Sequence, residues 1–98
     1  MSEVFICIKI NSKKDFRKAL KILYFKGFSW NCGESLTDEK LIEEYWNSKM
    51  AIVIYYEDKI IRYGRTDNRN DEEIEEIEEI KITEENISKL LMIENLKK

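Results

Sequence analysis

The alternation of apolar and polar positions changes rhythm along the chain, and each rhythm predicts an element. In EVFICIKI (3–10), Val4, Ile6, Ile8 and Ile10 share one face while Phe5 and Cys7 make the other face apolar as well. That pattern reads as a strand well inside a sheet. In NSKKDFRKALKILYFKG the rhythm switches to a helical one, with Phe16, Ala19, Leu20, Leu23 and Tyr24 at i, i+3, i+4, i+7 and i+8. Ser12 followed by Asp15 marks its start as a capping box, and Gly27 stands where a left-handed cap ends a helix.

FSWNCGESL (28–36) predicts a short strand or turn punctuated by Gly33. A second helix of about ten residues is expected next. Thr37 is its N-cap, Asp38 and Glu39 lie at the positive end of its dipole, and Leu41, Ile42, Tyr45 and Trp46 form its apolar face. KMAIVIYYEDKIIRYG (49–64) predicts a β-hairpin: Ala51 to Tyr56 is rich in β-branched and aromatic residues, Glu57-Asp58 turns the chain, and Ile60 to Tyr63 returns. RTDNRND (65–71) is a polar loop.

DEEIEEIEEIK (71–81) places isoleucines at 74, 77 and 80. On a helix each drifts by about 60° from the last, which still leaves one apolar stripe. On a strand the middle one would point away from the other two, so the spacing predicts a helix over 71–78. Ile80 and Ile82 alternate about Lys81 and predict a short final strand. Thr83 then caps a last helix in which Ile82 staples onto Ile87, and Leu90, Leu91, Ile93 and Leu96 are buried. These elements make one α+β domain over residues 1–98, with a mainly antiparallel sheet of about four strands and helices packed on one face.

Composition fits such a domain. Of the 98 residues, 43% are hydrophobic, enough for a modest core, and 38% are charged. No apolar run approaches the roughly 20 residues of a membrane helix, and MSEVFICIKI lacks the pattern of a signal peptide. The expectation is a protein of the cytoplasm, without membrane contact, whose Cys7 and Cys32 stay reduced.

The chain contains no histidine, which removes the most versatile acid–base group and the commonest transition-metal ligand. Two cysteines are too few for a structural zinc site, and DNRND (67–71) lacks the glycine and the distal glutamate of a calcium loop. No glycine-rich loop is present to cradle phosphate. A non-enzymatic protein without cofactors is therefore expected.

Charge is distributed unevenly. Residues 1–70 carry 13 basic and 10 acidic side chains, while residues 71–98 carry 4 basic and 10 acidic ones. Seven carboxylates crowd into 71–79: Asp71, Glu72, Glu73, Glu75, Glu76, Glu78 and Glu79. They read either as the solvated face of a helix or as an acidic surface complementary to a basic partner, mimicking a phosphate track. Lys13, Lys14, Arg17, Lys18, Lys21 and Lys26 make the first helix basic, but the acidity of the whole chain argues against direct nucleic-acid binding. Trp30 and Trp46 read either as core residues or as interface anchors beside the acids.

KALKILYFKGFSWNCGESLTD and AIVIYYEDKIIRYG together carry a resemblance. The chain looks like a group of small phage and prophage proteins of Gram-positive bacteria, in which a helix ends in glycine and an aromatic. A W-x-S-G turn and a hairpin ending in Tyr and Gly or Ser follow. Trp30, Gly33, Tyr63 and Gly64 take the matching places, and Cys32 stands where serine is expected. The likeness spans about residues 4–64. It implies a viral accessory protein, of the kind that inhibits host proteins, anti-CRISPR and other anti-defence factors among them.

The expected function is therefore inhibition of a nucleic-acid-handling host protein whose basic surface meets the acidic run. The alternative is sequestration of a nucleotide signal by Lys or Arg with stacked Trp or Tyr. An exposed hairpin edge also offers a route to a homodimer.

Overall fold

The computed structural model describes residues 5–67 and 77–96, with side chains described to residue 92. Eight elements follow in order: β1 (Ile6–Lys9), α1 (Lys13–Phe25), β2 (Ser29–Trp30), α2 (Glu39–Tyr45), β3 (Met50–Tyr55), β4 (Ile60–Arg65), β5 (Ile77–Glu78) and α3 (Glu84–Leu96). This is a small α+β fold, with a five-stranded open sheet in the order β2-β4-β3-β1-β5.

The two long ladders are antiparallel. β1 runs against β3 from Ile6↔Ile54 to Lys9↔Ala51, and β3 against β4 from Met50↔Arg65 to Tyr55↔Ile60. The two edges are parallel and short: β2 adds Ser29 and Trp30 beside β4, and β5 adds Ile77 and Glu78 beside β1. The sheet is therefore mixed and has one strand more than the pattern predicted.

Strand alternation sorts the core into two clusters. Ile6, Ile8, Met50, Ile52, Ile54 and Ile61 face the helices, where they meet Phe16, Ala19, Leu20 and Leu23 of α1, Ile42 of α2 and Ile87 of α3. Cys7, Ala51, Val53 and Tyr55 form a smaller cluster on the other face, joined by Phe5, Ile60 and Ile77. All three helices contribute to the first cluster and none to the second. Every residue of β3 is buried, as suits a strand in mid-sheet.

Local signals set the element ends. Ser12 Oγ accepts from the Asp15 N–H at 3.1 Å, closing the start of α1. At its other end, Phe28 N–H donates to Leu23 O and Gly27 N–H to Tyr24 O, both at 3.0 Å, a Schellman motif. Gly27 takes φ +90° there, a conformation open to residues without a side chain. Thr83 Oγ1 accepts from the Asn86 N–H at 3.1 Å at the head of α3, and Ile82 and Ile87 are both buried.

Three expectations are corrected. Asp38, not Thr37, caps α2: its carboxylate accepts from the Lys40 N–H at 3.0 Å, and the helix is seven residues long. The final strand lies at Ile77–Glu78, not at Ile80–Ile82, and runs parallel to β1. The described end of the predicted 71–78 helix is thus a strand. Ile77 packs with Cys7 and Val53, and pairing with β1 outweighs a three-residue repeat whose intrinsic preference is weak. The rest of that helix, 71–76, lies outside the described residues.

Candidate functional site: two surfaces of opposite charge

The acidic run enters the described fold at an edge of the sheet. Glu78 is exposed on β5, and Glu79 follows it with its side chain 67% exposed. Lys9 of β1 bonds Glu79 at 3.0 Å, so one of the two described carboxylates has a cation from its own chain. Asp71, Glu72, Glu73, Glu75 and Glu76 lie outside the described residues.

Neither tryptophan is an exposed anchor. Trp30 is buried at 1% exposure in the main core, with its ring 5.0 Å from Tyr45 and edge-on to it. Its Nε1 is buried without a hydrogen-bond partner. Trp46 is half-buried and packs 5.9 Å from Phe16. Both belong to the interior because β2 and the end of α2 close over the same end of α1.

Tyr45 stacks on Tyr63 at 4.3 Å beside Trp30. Burial, followed by the neighbouring Cys32, pushes the Tyr45 hydroxyl up from its ordinary range. Cys32 is exposed and Cys7 buried, and no disulfide joins them. Asp67, a candidate oxygen ligand of the 67–71 loop, is instead held by Arg65 at 3.1 Å and approached by Lys49 at 3.8 Å. The Arg65 bond draws its carboxyl below the usual range. Among the described residues no group of three His, Cys, Asp or Glu is placed to hold a metal ion.

The basic residues of α1 divide into two sets. On the flank towards α2, Lys13 bonds Glu43, and Arg17 bonds Glu39 and, at 3.0 Å, Glu43. Lys13 is the main reason that Glu43 titrates below the ordinary carboxylate range, while Glu39 chiefly raises Arg17. These cations join two helices. Lys14, Lys18 and Lys21 are exposed and make no ion pair among the described residues.

The same exposed side continues into aromatics. Phe25 is 75% exposed and Tyr24 44%, their rings 5.6 Å apart and nearly perpendicular. Tyr24, predicted as part of the buried stripe, is thus a surface residue, because the Schellman turn ends the helix before that position is covered. Phe25 forms a ridge between two grooves. One, of about 300 Å³, is lined by Arg17, Lys21, Tyr24, Leu36 and Ile42 among others. The second, of about 360 Å³, is lined by Lys21, Ile22, Lys26 and Glu84. Sequence reasoning passed over Phe25, although it falls on the same helical face as Lys14, Lys18 and Lys21.

Comparison of the chain with known protein families, with characterised proteins and with solved structures finds no match.

Proposed function

We propose that this chain is a non-enzymatic binding protein of the phage accessory type, which inhibits a host protein by covering a basic surface. A nucleic-acid-handling defence protein, such as a CRISPR effector, is the target class such a field fits, because its own ligand is a polyanion. The carrying observation is the density of carboxylates in 71–79, whose described end emerges at an exposed sheet edge with Glu78 pointing to solvent. Glu79 remains part of the surface. Its bond to Lys9 is an exposed ion pair of the kind worth about 0–1 kcal/mol, which a partner's cation can replace.

The test is affinity capture from a Gram-positive host lysate. The proposal expects a partner retained at low salt and released at high salt, since exposed charges are screened within about 10 Å at 0.1 M. Glu72→Lys, Glu75→Lys, Glu76→Lys and Glu78→Lys together should abolish that capture. A partner held equally by the reversed variant would refute the reading.

A further inference from the structure

On α1, Lys14, Lys18, Lys21 and Phe25 follow one another at intervals of four, three and four residues. At 100° per residue they fall within a wedge of about 60°, and they rise along the axis in steps of roughly 4.5–6 Å. The result is a straight row of three ammonium groups ending in an exposed aromatic ring. With Lys13 and Arg17 bonded to Glu39 and Glu43, this row is the basic face of the helix that makes no ion pair among the described residues.

We propose that this row binds single-stranded nucleic acid, with the lysines on successive phosphates and an unpaired base stacked on Phe25. Proteins that hold single strands combine these two features, a basic track and aromatic platforms. A duplex offers phosphates but no free base face for Phe25. An acidic protein segment fits less well, since binding hot spots are aromatic anchors in dry, apolar surroundings. Phe25 stands beside Tyr24 and Ile22 but also beside Lys21 and Lys26, so the grooves on either side of its ring are bordered by cations.

The carboxylates lining the flanking grooves are Glu39, which Arg17 holds, and Glu84. The acidity of the whole chain opposes such binding at long range, but it is concentrated after residue 70, away from α1 in sequence. The inference is independent of the acidic run, so either can fail while the other stands.

The experiment is fluorescence anisotropy with a labelled oligothymidylate of about fifteen nucleotides, the upper range of one small site. Binding should weaken steeply as salt rises, because each neutralised phosphate releases counterions. Phe25→Ala should weaken it roughly 5- to 150-fold, the effect of losing one stacked base. Lys14→Glu, Lys18→Glu and Lys21→Glu together should abolish it. Phe25 is exposed, so its variant keeps the test decisive should the triple variant fail to fold. Undiminished binding by Phe25→Ala would overturn the proposal. Competition by a polyglutamate peptide, by duplex DNA of the same length or by free thymidine nucleotide as effective as the oligomer's own would also overturn it.

Discussion

The basic face of α1 and the described end of the acidic run, Glu78 and Glu79 at the β5 edge, are opposite in sign, and each combines charges paired within the chain with charges that make no ion pair among the described residues. Residues 71–79 hold seven carboxylates, and Glu79, at their described end, is bonded to Lys9. α1 holds fewer charges, yet Lys14, Lys18 and Lys21 make no ion pair among the described residues and lie on the face of a 75% exposed phenylalanine. Density of charge in a sequence therefore does not measure availability in the fold. Availability depends on neighbours supplied by other elements, as Glu39 and Glu43 of α2 supply them to Arg17 and Lys13.

The largest effect expected separates two phenylalanines of one helix. Phe16 is fully buried, and Phe16→Ala should cost about 3–5 kcal/mol in denaturant unfolding. Phe25→Ala should stay within about 0.5 kcal/mol of the parent. A large loss at Phe25 would mean that its ring serves packing, and the contrast between the inner and outer faces of α1 would collapse.

Next comes the cap that presents the ridge. A Cβ at Gly27 would meet nothing within 4 Å, so Gly27→Ala isolates the backbone term at φ +90°. It should destabilise by about 1–2 kcal/mol, measured by the same unfolding curves.

A smaller effect concerns acid. The folded-state pKa of Glu43 is depressed, mainly by Lys13, so its contribution is present above the unfolded pKa and is lost as pH falls through the folded one. Thermal melts should therefore show a parent that loses stability below about pH 4.5, with Glu43→Gln losing less over that window. An identical acid limb in both proteins would mean that the α1–α2 pairs are not formed in solution. The smallest effect is at the other surface: Lys9→Ala should cost under about 1 kcal/mol, leaving Glu79 unpaired but solvated.

Much of this fold was legible in the sequence where several signals agreed. In α1, the capping residue, the apolar period and the terminal glycine all mark the same boundaries, and the hairpin shows both its strands and its turn. Legibility failed where one weak signal stood alone. The isoleucine triplet at 74, 77 and 80 carries helix-like spacing, yet Ile77 obeys the open edge of β1 and the cluster around Cys7. The two-residue strand β2 has no period at all, and Trp30 enters the core through the packing of α2 and β4 against it. Of the candidate surfaces, the acids could be counted from composition. The α1 row could not, because its free lysines differ from its paired ones only through α2.

The central claim is that the two charged surfaces act separately, and a paired titration tests it most directly. A lysine- and arginine-rich peptide and the labelled oligothymidylate are each titrated against the parent, the glutamate-reversed variant and the α1 lysine-reversed variant. The account predicts a double dissociation: glutamate reversal abolishes peptide binding alone, and lysine reversal abolishes oligonucleotide binding alone. Loss of both ligands in either variant, or of neither in both, would contradict it.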